Sequence, residues 1–404
     1  MRTSGCGEFM KRCNGNSGPA AYTNIDFDQQ PFLVIWEATQ ACDLACVHCR
    51  ACAQPSRNPL ELSTREAKRL IEDVAELQTP LFVISGGDPL KRPDVYELVR
   101  HTADLGLRPS MTPSATPLLT REAIVKLKDS GLARLAISLD APTAEIHDRF
   151  RRVQGSFDLT IQGTRWAREI GLSVQINTTI TRRNLSYLDD IIAVLEDLDI
   201  ALWSVFFLVP IGRGSEVDLI SAEEFEQVFA KLYETSRRVK FDIKSTEAQH
   251  YRRYLLQRRT ELKREGQTSP GQLPPVLGTA SADGIRRAPK GINDGKGFAF
   301  VSHTGEVFPS GFLPVSAGNV REHSLQSLYR DSPLFQSLRD TNNLEGKCGR
   351  CEYKQICGGS RARAFALTNN AFAEEPCCVY QPRQSASSEG SRRTQPSEEI
   401  NWTR

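Results

Sequence analysis

Three cysteines, Cys42, Cys46 and Cys49, stand in a CxxxCxxC spacing. Thiolates this close do not close neatly on one metal ion, but they can wrap one corner of an iron–sulfur cubane, each sulfur on a different iron. One iron is then left without a protein ligand. An open iron is a reactive position, because a small molecule carrying an amine and a carboxylate can chelate it beside an electron source. Cys52 adds a fourth thiol in Cys46-x-x-Cys49-x-x-Cys52, so a closed zinc site is a competing reading of the same stretch.

A second group supports two metal centres. Of the eleven cysteines, four lie within 42–52, five within 348–378, and only Cys6 and Cys13 stand apart. Disulfides do not favour such clustering in a reducing compartment, whereas metal clusters require it. Cys348-x2-Cys351-x5-Cys357, with Cys377-Cys378 returning about twenty residues later, offers enough thiolates to close every corner of a second cluster.

The surrounding elements are those that carry loops to one end of a sheet. Phe32-Leu-Val-Ile-Trp36 is a short apolar run of the kind buried on both faces of a parallel sheet, and it leads into Cys42. Ser63-Thr-Arg-Glu66 has the spacing of a capping box before a helix. Leu81-Phe-Val-Ile84 is the next strand and ends at Ser85-Gly86-Gly87-Asp88-Pro89. Strands near 107–112, 134–140, 172–180 and 203–209 alternate with helices near 93–105, 121–130, 157–170 and 185–198. Six such repeats predict an α/β fold, a partial (β/α)6 TIM-like barrel with its site at the C-terminal strand ends. The Cys loop, the Gly-Gly loop, Asp140 and Asn177 fall at those ends.

The expected organisation is a flexible leader over 1–30, the partial barrel over 31–220, a helical segment and linker over 221–296, a small C-terminal iron–sulfur domain over 297–382, and a disordered tail over 383–404. Residues 221–264 read as helical with a solvated basic face, 267–283 as a linker or lid, and Ser302-His-Thr-Gly305 as a hairpin turn.

CxxxCxxC directly after an apolar strand, followed by Gly-Gly-Asp-Pro, resembles the radical S-adenosylmethionine (SAM) superfamily. The resemblance implies a [4Fe–4S] cluster on Cys42, Cys46 and Cys49 whose open iron binds SAM. Reductive cleavage then gives a 5′-deoxyadenosyl radical that takes a hydrogen from a substrate. It further implies that the backbone at Gly86, Gly87 and Asp88 holds the SAM amino group. Ser138 or Asp140, with Asn177, would hold the ribose, and Arg151 would pair with the carboxylate. His48 is expected to pack near the adenine rather than ligate iron. The second cysteine group resembles SPASM or twitch extensions, with Cys348, Cys351, Cys357 and Cys378 on one auxiliary [4Fe–4S] cluster and Cys377 as the fallback. Ser310 and Ser360 stand where related sequences have cysteine, so only one auxiliary cluster is expected.

More narrowly, Cys357-Gly-Gly-Ser-Arg-Ala-Arg-Ala-Phe-Ala with Glu375-Pro-Cys-Cys resembles the branch that modifies tetrapyrroles in haem-type cofactor synthesis. The implied substrate is a tetrapyrrole whose propionates meet Arg361 or Arg363, or else a ribosomal peptide. The implied electron donor is a ferredoxin or flavodoxin. A non-catalytic zinc or iron–sulfur scaffold or redox sensor is the reading from a different class.

Composition sets the outer bounds. With 39% hydrophobic and 25% charged residues the 404-residue chain suits a globular protein. A net charge of +2 gives no reason to expect nucleic acid. No apolar run is long enough for a membrane span, and residues 1–30 lack the apolar core of a secretory signal, so the cytoplasm is expected.

Overall fold

The computed structural model describes residues 25–266, 277, 283–285 and 287–383. Cys6, Cys13, nearly all of the 267–283 linker and the tail from 384 onward lie outside the described residues.

Nine strands form one sheet: β1 Leu33–Thr39, β2 Leu81–Gly86, β3 Pro109–Met111, β4 Arg134–Ser138, β5 Ser173–Ile180, β6 Leu202–Phe207, β7 Asp242–Thr246, β8 Phe298–Val301 and β9 Val307–Phe308. Their order is β7-β6-β5-β4-β3-β2-β1-β8-β9. Every neighbouring pair is parallel except β8 with β9, a hairpin that turns at Gly305. A single cavity is lined by β6 and β7 on one side and by β1 and β8 on the other. The sheet therefore curls into a barrel left open between its two edge strands, β7 and β9.

The expected six strands are exceeded because β7 lies inside the stretch read as continuous helix. Phe241-Asp-Ile-Lys-Ser-Thr246 is a strand whose lumen-facing positions, Asp242, Lys244 and Thr246, line the cavity and are polar. No apolar run marks it. The segment is thus two helices around a strand, α7 (Ala222–Ser236) and α8 (His250–Arg264). The basic face of α8 is not simply solvated. Arg253 is buried against Glu226, and Arg252 donates to the Ile356 carbonyl at 3.1 Å.

The remaining helices are α1 Thr64–Glu76, α2 Val95–Asp104, α3 Arg121–Asp129, α4 Ala144–Arg151, α5 Ser156–Glu169, α6 Leu188–Asp197, α9 Leu325–Asp331, α10 Pro333–Arg339, α11 Gly346–Gly349 and α12 Arg361–Thr368. At α1 the capping box forms as the sequence predicts: Ser63 accepts from the Glu66 amide, and the Glu66 carboxylate accepts from the Ser63 amide at 2.8 Å. Helix α1 then buries Ala67, Leu70, Ile71 and Val74, the helical stripe that seals one sheet face.

Along β5 the residues alternate, with Val174, Ile176, Thr178 and Ile180 buried and Ser173, Gln175, Asn177 and Thr179 less so. Period two puts the first set under the helices and the second in the lumen. The lumen is thus where polar chemistry sits. No helix among the described residues is long and apolar enough to cross a membrane.

Candidate active site

The strand β1 delivers the chain into the cysteine loop, and hydrogen bonds from three directions fix that loop. The Cys42 amide donates to the Gln54 carbonyl at 2.7 Å, closing its base. Ala45 and Val47 amides donate to the carbonyls of Arg151 and Phe150 at the end of α4, at 3.2 and 3.0 Å. From the 210–214 turn, the Arg213 amide donates to the Cys49 carbonyl at 3.0 Å.

Gly86 and Gly87 are required by the backbone of the cysteine loop. A Cβ at Gly86, where φ is +143°, would lie 2.3 Å from the Thr39 oxygen, and one at Gly87 would lie 2.5 Å from the Ala41 oxygen. Their close approach lets the Gly87 and Asp88 amides donate to Thr39 and Ala41, both at 2.7 Å. The Asp88 carboxylate is fully buried and accepts from Thr116 Oγ1 at 2.8 Å and the Leu90 amide at 3.1 Å. Burial pushes its pKa up. Asp88 thus builds the turn.

Gly86, Gly87, Ser138 and Arg151 meet around a cavity of about 100 Å³ that also takes Leu44 from the cysteine loop and Ser114. Ser114 is the residue that sequence reasoning missed. Its hydroxyl donates to the Gly87 carbonyl at 2.8 Å and lies 3.2 Å from Cys42 Sγ. Asp140 and Asn177 do not line the cavity. Asp140 stands behind it, pairing with the Arg151 guanidinium and accepting from the Thr179 amide at 2.8 Å. Burial pushes the Asp140 carboxyl upward, but the Arg151 charge, the neighbouring imidazoles and the Thr179 amide together outweigh this and hold it below the usual range. Asn177 Oδ1 accepts from Gln175 Nε2 at 2.7 Å. His48 packs on Phe150 with ring centroids 4.7 Å apart, and burial lowers its pKa to about 4.

The thiols suit an iron–sulfur cluster. Cys42 and Cys46 are buried, and burial pushes both thiols above their usual pKa. Donors nevertheless aim at the sulfurs: the Leu44 amide at Cys42 Sγ, 3.3 Å, and Arg151 Nη1 at Cys46 Sγ, 3.5 Å. A neutral thiol is a weak acceptor, whereas a metal-bound thiolate gains from each such bond. Arg151 Nε is buried without a partner.

The second group repeats this pattern. Cys348, Cys351, Cys357 and Cys378 line a common cavity of about 20 Å³, while Cys377 does not line it. Amides of Glu375, Tyr353 and Gly359 donate to the sulfurs of Cys348, Cys351 and Cys357 at 3.3, 3.4 and 3.4 Å. Burial raises Cys357 to about 12. Ser360 caps α12 and donates to Glu247 at 2.5 Å, and Ser310 accepts from the Phe312 amide at 3.2 Å. Among the described residues no three His, Cys, Asp or Glu side chains converge on a single-ion geometry.

One expectation fails here. Arg361 and Arg363 are fully buried and committed to the protein, so neither is placed to meet a propionate. Arg361 Nη1 donates to the Ala371 and Ala373 carbonyls at 2.9 and 2.7 Å, and Arg363 joins the Glu247 carbonyl at 2.6 Å and the Glu375 carboxylate at 3.3 Å.

A curled parallel sheet with a CxxxCxxC loop after β1 and a Gly-Gly loop after β2 defines a class of enzyme, and comparison with known proteins agrees. The radical SAM superfamily profile matches residues 36–195. The chain is 42% identical over 87% of its length, and 88% of the relative's, to the AdoMet-dependent heme synthase of Oleidesulfovibrio alaskensis. It is 31% identical over 89% of its length, and 90% of the relative's, to the Fe-coproporphyrin III synthase of Methanosarcina barkeri. Streptococcus suis SuiB bound to S-adenosylmethionine shares the fold, with a TM-score of 0.66 at 16% identity over 87% of this chain and 78% of that one. The chain belongs to the radical SAM superfamily. Membership implies a [4Fe–4S] cluster and SAM.

Proposed function

We propose that this radical SAM enzyme acts on a carboxylated tetrapyrrole in haem-type cofactor synthesis. The observation that carries this reading is the 42% identity to an AdoMet-dependent heme synthase across nearly the full length of both chains. When bound, the cluster and SAM supply reductive cleavage of the sulfonium and hydrogen-atom abstraction.

The chain's own residues have assignable tasks. Cys42, Cys46 and Cys49 hold the cluster. Ser114 gives its one proton to the Gly87 carbonyl and packs its oxygen 3.2 Å from the Cys42 sulfur, which sets the turn that receives the SAM amino group against the cluster loop. Arg151, fixed by Asp140, donates to Cys46 and leaves Nε available toward the SAM carboxylate. Ser138 lines the same cavity and suits the ribose. Cys348, Cys351, Cys357 and Cys378 would hold one auxiliary [4Fe–4S] cluster within residues 297–382. A low-potential ferredoxin or flavodoxin in a reducing cytoplasm fits these thiols, none of which is in a disulfide.

The test is anaerobic incubation of the reconstituted protein with SAM and dithionite, following 5′-deoxyadenosine with and without a free-acid porphyrin. Formation stimulated by the porphyrin and lost on Cys42/Cys46/Cys49→Ala substitution is the expected outcome. No stimulation by any carboxylated porphyrin, at a verified iron content, overturns the substrate assignment.

A further inference from the structure

The lumen cavity between β7 and β8 has a volume of about 220 Å³, and Ile35, Phe206, Phe298 and Phe312 are among its apolar walls. Several cations border it, and their surroundings differ. Arg134 is held bidentately by Asp283, at 2.7 and 2.6 Å, and Arg287 Nε by Asp242 at 2.8 Å. Arg252 reaches a carbonyl, and Lys290 is exposed to solvent. Lys244 differs from all four: it is half-buried among these walls and makes no hydrogen bond or ion pair with any described residue. The residues outside the description between 267 and 286 include no Asp or Glu.

An ammonium in such a place is costly unless an anion arrives. Burial, reinforced by Arg134 and Arg287 and opposed by Asp242, lowers the pKa of Lys244 to about 8. Of the acidic residues of the cavity, Asp242 acts on Lys244 only through space and is bonded to Arg287, and the other two are committed elsewhere. Glu247 accepts from Ser360 at 2.5 Å, and Asp294 accepts from the Arg361 and Ala362 amides, each at 3.0 Å.

Register then connects Lys244 to the SAM side. Ser138 pairs with Asn177, Asn177 with Ser204 and Ser204 with Lys244, a single row across β4, β5, β6 and β7. Ser138 lines the cavity by the cysteine loop, and Lys244 lies three strands away on the same rung. At about 4.8 Å per strand the separation is at most roughly 14 Å, within the span of a tetrapyrrole with its side arms. The volume is below the roughly 300 Å³ at which pockets take a whole drug-sized ligand. What enters is therefore an acidic arm.

We propose that Lys244 is the specificity-determining cation of this enzyme, receiving the carboxylate of one acidic side arm of the substrate inside the barrel lumen. The assignment rests on the tetrapyrrole reading. It replaces Arg361 and Arg363 as the partner of that carboxylate.

The test is equilibrium titration of the anaerobically reconstituted full chain with free-acid coproporphyrin III, followed by its absorbance. Wild type, Lys244→Gln and Lys244→Arg are compared, with iron content and circular dichroism matched. Losing a buried charge-assisted hydrogen bond weakens binding about tenfold or more, so Lys244→Gln is expected to show at least that loss and Lys244→Arg a few-fold change. The tetramethyl ester, which carries no charge, is expected to bind wild type about as weakly as Lys244→Gln binds the free acid. Equal binding of the free acid by wild type and Lys244→Gln, or of acid and ester by wild type, overturns the role of Lys244 while leaving the tetrapyrrole reading standing. Failure of wild type to bind any free-acid porphyrin removes that reading and the proposal with it.

Discussion

Arg151 joins two charges that the fold has taken out of water, the Asp140 carboxylate and the Cys46 sulfur. Removing one partner of a buried pair leaves the other uncompensated, typically at a cost of about 3–5 kcal/mol. Arg151→Met is therefore expected to lower the unfolding free energy from urea titration by an amount of that order and to abolish 5′-deoxyadenosine formation. Arg151→Lys keeps the charge without the planar fork and is expected to retain most of the stability but little of the turnover. Equal stability of wild type and Arg151→Met would mean that Asp140 finds another partner. At the auxiliary site, Cys378→Ala is expected to remove about half of the bound iron, and Cys377→Ala to leave it nearly unchanged, because only Cys378 shares the cavity of Cys348, Cys351 and Cys357. A full iron count in Cys378→Ala would reassign the fourth ligand. The cysteines were legible in the sequence because their spacing is local and few chemistries tolerate it. Ser114 was not, since its partner Cys42 is 72 residues away and a serine after a three-residue strand resembles any turn. Arg361 and Arg363 misled for the converse reason: the sequence displays a cation but not the carbonyls folded around it.

Elements position these residues, and here legibility followed burial. Strands covered on both faces announce themselves as apolar runs, as β1 and β2 do, whereas β7 turns Asp242, Lys244 and Thr246 into the lumen and so carried no such signal. The Gly-Gly turn after β2 was legible as a turn at a strand end, but the sequence did not reveal that its glycines are shaped by the cysteine loop. Gly87→Ala forces a Cβ to within 2.5 Å of the Ala41 oxygen. Overpacking of this kind costs about 1–3 kcal/mol. The expected result is a lower urea midpoint together with reduced iron retention, measured on the same anaerobic preparations. Helix α4 contributes a pH dependence. His147 is buried, and its Nδ1 accepts the Asp140 amide at 3.2 Å, which requires an unprotonated nitrogen. Burial, with Arg151 adding to it and Asp140 opposing, lowers its pKa to about 4, below the unfolded value near 6.5. The unfolded chain then binds the proton more readily than the native one. Stability is full above about pH 6.5 and declines as the pH falls toward 4, by at most about 1.4 kcal/mol per unit from this group. His147→Gln is expected to flatten that slope in urea titrations between pH 7.5 and 5. An unchanged slope would assign the acid sensitivity to other groups.

At the scale of the whole molecule, the C-terminal unit is tied into the barrel through sheet, core and charge. Strand β8 pairs with β1 over four residues, directly under the cysteine loop. Leu325, Leu328, Tyr329 and Phe335 belong to the same buried cluster as Trp36, Phe82 and Ile84. The Tyr329 hydroxyl donates to the Phe27 carbonyl at 2.6 Å and accepts from the Gly297 amide at 3.1 Å. Nearest the chemistry, Glu37 on β1 is buried between Arg50, one residue beyond Cys49, and His303 in the β8–β9 turn, at 2.8 and 2.9 Å. Burial pushes the Glu37 carboxyl up, yet the Arg50 charge and the His303 bond hold it below its usual range. A chain ending at residue 296 would lose the β8 ladder, expose the apolar face that α9 and α10 cover, and leave Glu37 and Arg50 without His303. Each of these losses is worth a kilocalorie or more on its own, and together they rival the total of about 5–15 kcal/mol that holds a typical domain folded. The truncated chain is therefore expected to be aggregated or without cooperative unfolding, and the intact protein to unfold in one transition by circular dichroism and tryptophan fluorescence alike. A truncated chain that stayed monomeric, unfolded cooperatively and still bound one cluster would show the barrel to be independent. The auxiliary unit would then be an addition to the active site, whereas a single transition makes β8 and the cysteine loop parts of one cooperative body.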